Sequence, residues 1–295
     1  MIQLENTKYR VGISELGAEI QSIYSLEENF DYIWNDNGLG FWKRHAPILF
    51  PAIGRSYNNA YLLNNDIYEM PQHGFGRDQR FMVTNQSHKK VVFELENNEK
   101  TEELYPFDFK LIVAYELKAA VVRVTFTVLN LGDKPLPFAL GAHPGFNVPF
   151  NNEGNYSDYR ISFDPVQEKL KKFGIAPIPF RNGEVIPLNE SQDNTIPLSH
   201  HLFDKGLIIL ANQGIKNVIL SSSKTTHLIK ITLRDFPYVA LWSLEKEKAP
   251  FLCIEPFAGL PDIYGNEHDI FQKEGNTILG VNGGEKTLSY QIALN

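Results

Sequence analysis

Three short segments rich in glycine and proline carry the residue types that move protons. They are His73-Gly74-Phe75-Gly76-Arg77, Gly141-Ala142-His143-Pro144 and Glu255-Pro256-Phe257. They lie far apart in the chain, so only folding can gather two imidazoles and a carboxylate. An acid and a base without a metal-ligand motif beside them point to proton transfer on a small neutral molecule.

His143 follows a run, residues 136–143, that alternates like a strand up to Pro144. Ala139, Gly141 and His143 share one face, and Phe138, Leu140 and Ala142 share the other. Small residues beside a histidine leave the volume a ligand needs, and the proline ends ladder bonding. The bland alternative is a packed histidine bonded to backbone. Glu255 closes the apolar run Phe251-Leu252-Cys253-Ile254, with Phe251 and Cys253 on its face. A carboxyl at the end of such a strand binds its proton more tightly unless hydrogen bonds oppose this, which suits a general base near neutral pH. A solvated strand end or a structural ion pair is the alternative. His73 sits among glycines that permit unusual backbone angles. Arg55 ends another apolar run at a Gly-Arg corner. Arg55 and Arg77 have the chemistry to grip a sugar hydroxyl or a phosphate, or simply to be solvated.

The elements that must hold these residues read as strands. Residues 109–117 alternate Phe109, Leu111, Val113, Tyr115 and Leu117 onto one face, and residues 121–129 do the same with Val122, Val124, Phe126 and Val128. Residues 90–96, 227–233 and 287–293 repeat the half-buried pattern. Turn residues separate them, as in Asn64-Asn65-Asp66 and Asn282-Gly283-Gly284. Residues 129–135 read as a hairpin. Residues 167–173 are read as one or two helical turns, residues 263–273 as containing another, and residues 146–158 as a loop-rich insertion near a site. Many strands at short spacing predict an all-β fold, a sandwich or barrel. With no compositional break, residues 1–295 are expected to form a single domain.

Composition narrows the function. Apolar residues make up 43% and charged residues 21% of 295, enough for a sizeable core and against disorder. The 20 Phe and 13 Tyr favour strands. A net charge of −7 argues against a nucleic-acid partner. The single cysteine, Cys253, allows no internal disulfide, which suits a reducing compartment. No stretch has the roughly 20 apolar residues of a membrane helix, and the N-terminus lacks a signal-peptide pattern. A cytoplasmic monomer or homodimer, with no membrane partner, is expected. His-Glu-x-x-His, Cys-x-x-Cys, a phosphate-cradling loop and a Gly-x-Ser-x-Gly elbow are missing from the sequence. Adjacent His200 and His201 would point to opposite faces of a strand. Neither a catalytic metal nor a cofactor is expected.

Taken in order, His45-Ala46-Pro47-Ile48-Leu49-Phe50-Pro51 with Gly54-Arg55, His73-Gly74-Phe75-Gly76-Arg77, Gly141-Ala142-His143-Pro144 and Glu255-Pro256 resemble the aldose 1-epimerase (galactose mutarotase) family, in its bacterial LacX-like branch. The resemblance spans essentially the whole chain. It implies a large antiparallel β-sandwich (a supersandwich) with an open sugar cleft. It also implies Glu255 as general base, His143 as general acid, and His73 and Arg55 as sugar-binding residues. The family's sugar-holding aspartate would be matched by Asp204. The family's usual Trp-Thr-Gly after Glu-Pro is replaced by Phe257-Ala258-Gly259, which bears on sugar preference. The implied activity interconverts the α and β anomers of a hexose such as galactose or glucose. Three other readings stand beside it: a hexose-6-phosphate mutarotase, a non-catalytic sugar-binding sandwich, and a glycoside hydrolase using Asp204 and Glu255.

Overall fold

The computed structural model describes residues 1–167, 169–192 and 194–295. Its frame is two large antiparallel sheets. The nine-stranded sheet runs Thr195–Pro197, Tyr159–Asp164, Asn217–Ser222, Leu228–Thr232, Glu285–Leu294, Val121–Asn130, Phe109–Lys118, Lys90–Glu96, Met82–Gln86. The eight-stranded sheet runs Arg181–Pro187, Lys171–Ile175, Ile208–Ala211, Tyr238–Trp242, Phe251–Ala258, Leu140–Ala142, Ile48–Leu49, and Gly145–Asn147 also pairs with Phe251–Ala258. Four N-terminal strands between Ile2 and Asp31 form a further sheet. The fold is therefore the all-β antiparallel arrangement that the alternation predicts.

One apolar core joins the layers. Leu111, Val113, Val124 and Phe126 from the nine-stranded sheet meet Leu140, Val239, Leu241, Leu252 and Ile254 from the other, with Val11 and Ile20 closing one side. Full burial of each aliphatic side chain stabilises by about 1.5–3 kcal/mol. Within the eight-stranded sheet, the strand Phe251–Ala258 is buried on both faces. Along Phe251–Ala258, Leu252, Ile254 and Ala258 enter the main core. Phe251 and Cys253 turn outward into an aromatic cluster with Trp34, and Phe257 turns outward into a second small cluster with Leu49 and Ala240. Period-two alternation therefore puts Glu255 on the outer face, between two apolar patches.

Four local expectations are corrected. Residues 129–135 are no hairpin: the next strand, Leu136–Phe138, pairs with Thr277–Leu279 instead. The Asn130 side chain closes this connection by donating to the Lys134 and Gly280 carbonyls and accepting from the Gly132 N–H. In residues 167–173, Lys171, Lys172 and Phe173 are strand, paired with Pro187, Ile186 and Val185; Glu168 lies outside the described residues. Residues 263–273 form turns, because their backbone is used elsewhere: the Leu62 N–H donates to the His268 carbonyl and the Ile270 N–H to the Leu62 carbonyl. Residues 146–158 are not simply a loop-rich insertion: Phe146 and Asn147 belong to the strand Gly145–Asn147, which pairs with Phe251–Ala258. Phe146, Val148, Phe150 and Tyr156 are buried in the main core.

Candidate active site

His143, His73, Glu255 and Arg55 come together around one cavity of about 340 Å³, which Trp42, Gln72, Arg77, Trp242, Glu245 and Pro261 also line. Glu255 is delivered by register. It lies opposite Ala240, whose methyl leaves room above the sheet. Gly141 pairs with both Phe257 and Leu49, and the chain then continues with the same parity to His143. Beyond the strand end, the His143 N–H donates to the Pro47 carbonyl and the Gly145 N–H to the His45 carbonyl. Buried Glu19 holds that supporting segment, accepting from the His45 and Ala46 N–H groups at 2.8 and 2.9 Å. The 45–51 motif thus serves as a cradle for His143.

His73 is fixed by backbone that few side chains tolerate. Its φ is 66° and that of Gly74 is 72°, and a Cβ on Gly74 would sit 2.1 Å from the Phe50 carbonyl oxygen. The Gly54 N–H donates to His73 Nδ1 at 3.1 Å, so the neutral ring carries its proton on Nε2. The His73 and His143 rings meet edge to face at 5.4 Å. Trp42 lies over His143 at 4.9 Å, and Trp242 meets it edge-on at 5.5 Å.

His143 Nε2 is 3.2 Å from Glu255 Oε2. Both residues are buried, and burial disfavours the charged form of each. It pushes His143 down to about 3 and Glu255 well above the usual carboxylate range. The contact is therefore a hydrogen bond within a neutral pair that holds one proton, not an ion pair. His73 is also held well below its ordinary range, first by burial and then by His143 and the nearby arginines. A pair with one proton supplies a donor and an acceptor at the same time.

Asp204 is not part of this cluster. It accepts from the Lys246 N–H and pairs with exposed His201 at 3.0 Å. It borders a different, larger groove of about 590 Å³. In that groove Lys172 pairs with Glu190, whose other carboxylate oxygen is buried without a partner. The carboxylate that does reach the cavity beside Trp242 is Glu245, which accepts from the indole N–H at 3.2 Å. In sequence it sits in Glu245-Lys246-Glu247-Lys248, a run that reads as a solvated turn. Trp42 and Trp242 also carried no motif. Their one signal was rarity, since the chain has three tryptophans. Among the described residues, one group brings possible metal donors together: His143, Cys253 and Glu255. No described helix is long and apolar enough to cross a membrane.

A sequence model of the aldose 1-epimerase family matches residues 1–282. The plasmid-encoded protein LacX of Lactococcus lactis subsp. lactis is 30% identical over 272 residues, covering 88% of each chain. Solved structures that cover this whole chain include two from Lactobacillus species. A galactose mutarotase-like protein from Lactobacillus casei ATCC 334 is 43% identical with a TM-score of 0.95, and is itself covered completely. A galactose mutarotase related enzyme from Lactobacillus acidophilus is 31% identical with a TM-score of 0.92, and 97% of it is covered.

Proposed function

Because the chain belongs to the aldose 1-epimerase family of isomerases, we propose that it equilibrates the α and β anomers of a free hexose such as galactose or glucose, using His143 and Glu255 as its acid–base pair. The observation that carries this reading is the 3.2 Å contact between the two groups on the wall of a cavity. Opening a hemiacetal ring requires removal of the C1 hydroxyl proton and delivery of a proton to the ring oxygen. For this the one proton of the pair first passes from the Glu255 carboxyl to His143 across the 3.2 Å contact; Glu255 then takes the first proton and His143 gives the second. The C1–C2 bond then rotates, and the roles reverse as the ring closes on the other face. The proton count of the pair is unchanged over the cycle, so a pair holding one proton is sufficient. Neither a cofactor nor a covalent intermediate is needed.

The other cavity residues fit a sugar. His73 Nε2–H is a donor for a hydroxyl, Glu245 an acceptor, and Trp42 and Trp242 offer apolar surface to C–H faces. Arg55 donates to Gln72 Oε1 at 3.3 Å and remains exposed. The hydrolase reading that pairs Asp204 with Glu255 loses its second carboxylate, because Asp204 lies elsewhere; Glu245, which does line the cavity, accepts from the Trp242 indole N–H. The presence of Arg55 and Arg77 on the cavity keeps one rival, a hexose-6-phosphate mutarotase. Arg77 donates to the Gln72 carbonyl at 2.7 Å, while its buried Nε has no hydrogen-bond partner. Relative rates on glucose and glucose 6-phosphate decide between them, a marked preference for the phosphate supporting the rival. Saturable sugar binding with no acceleration of anomer exchange would instead mean a non-catalytic module.

A further inference from the structure

Cys253 has no part in the proton transfer proposed above, yet it is buried beside both residues that do. It lies two positions before Glu255 on Phe251–Ala258, so both side chains leave the same face. His143 approaches from the neighbouring strand end. One His143 ring nitrogen, the Cys253 sulfur and a Glu255 oxygen all lie within 4.8 Å of one another, with all three residues buried. A second observation points to a ligand: Glu255 Oε1, on the carboxylate that faces His143 and Cys253, is buried and has no hydrogen-bond partner. Buried polar atoms are nearly always partnered, and here the orphan belongs to one of the three donors.

We propose that His143, Cys253 and Glu255 form a binding site for a thiophilic divalent cation, with Zn²⁺ as its type, and that the ion inhibits the enzyme. Nitrogen, sulfur and carboxylate together suit zinc, whereas magnesium and calcium take oxygen sets. Bonds of about 2.0–2.3 Å place tetrahedral neighbours roughly 3.2–3.8 Å apart. His143 Nε2 and Glu255 Oε2, at 3.2 Å, already have that spacing; the widest donor separation must close by roughly an ångström. His143 and Glu255 line the cavity, which gives the ion a route in and leaves a fourth position open. On binding, the Cys253 thiol proton and the proton shared by the pair pass to solvent. Thiolate, carboxylate and neutral imidazole then balance the charge of the ion, and no electron is transferred. The metal occupies the lone pairs that ring opening uses, so turnover stops. The inhibition rests on the mutarotase reading; the binding does not.

The test uses full-length protein stripped with chelator, as wild type, Cys253→Ala and Cys253→Ser. Zn²⁺ is titrated calorimetrically, Co²⁺ is followed by its absorption spectrum, and anomer exchange is measured with and without Zn²⁺. The expected results are one ion per chain, a thiolate-to-cobalt charge-transfer band confined to the wild type, and a half-inhibiting zinc concentration raised on the order of tenfold or more in both variants, with basal exchange retained. Failure of the wild type to bind stoichiometrically, or variants with unchanged zinc affinity, overturns the proposal. If a variant does not fold, the wild-type cobalt band alone decides. Zinc binding with that band in a protein that never accelerates anomer exchange would uphold the site and refute the mutarotase reading.

Discussion

Burial deprives His143 and Glu255 of water, and each then depends on the other. In the proposed mechanism the pair works with one proton, and the pH dependence follows from the directions of the two shifts. His143 is pushed down to about 3, so the pair gains a second proton only far below a histidine's ordinary value of about 6.5. Glu255 is pushed well above the usual carboxylate range, so the single proton is lost only on the alkaline side of that range. In metal-free buffer kcat/KM should therefore show no acid limb near about 6.5 and should fall as pH rises past the raised Glu255 value. An acid limb at the ordinary histidine value would contradict this. A second prediction separates two carboxylates. Asp204→Ala should leave kcat and KM unchanged, since Asp204 pairs with His201 outside the cavity; Glu245→Gln should raise KM more than it lowers kcat. Glu255 and His143 were legible because an apolar strand ending in a charge, and a histidine among small residues, are unusual patterns. Glu245 was not, because a charge run looks the same whether or not its turn borders a cavity.

The strands that carry these residues announced themselves where one face is buried. The expected strands at residues 109–117, 121–129 and 90–96 correspond to Phe109–Lys118, Val121–Asn130 and Lys90–Glu96. The failures fall where backbone pairing is non-local. Leu136–Phe138 leaves its neighbour for Thr277–Leu279, and residues 263–273 give their hydrogen bonds to Leu62. Periodicity within a window cannot see such partners. The motif around His73 was visible, but its reason was not: Gly74 packs directly on the Phe50 carbonyl in a left-handed conformation. Gly74→Ala should therefore cost about 1–3 kcal/mol in backbone strain, with further cost from the 2.1 Å overlap. It should also lose activity, because His73 shifts with the backbone. Thermal melting alongside kinetics checks this, and an unchanged melting temperature would contradict the packing argument.

Across the whole molecule, the core between the large sheets and the site on the outer face of one sheet are separate layers. Glu255 belongs to neither outward apolar cluster, yet it shares its strand with core residues Leu252 and Ile254. Stability and chemistry should therefore separate. Phe126→Ala, at a fully buried position of the nine-stranded sheet, should destabilise by about 3–5 kcal/mol while leaving kcat of the folded protein near wild type. Denaturant titration and kinetics below the transition measure the two effects. The all-β class was legible because alternation and turn spacing recur along the chain. The layering was not, since Phe251–Ala258 is buried on both faces and a continuous apolar run does not say which side will carry the cavity. The most direct measurement is anomer exchange of α-glucose or α-galactose, followed by polarimetry or NMR, with wild type and Glu255→Gln under identical conditions. Wild type should accelerate exchange, and the variant should lose about 10²–10⁴-fold of that acceleration. A variant that exchanges anomers as fast as wild type would contradict the assignment of Glu255 and His143 as the acid–base pair.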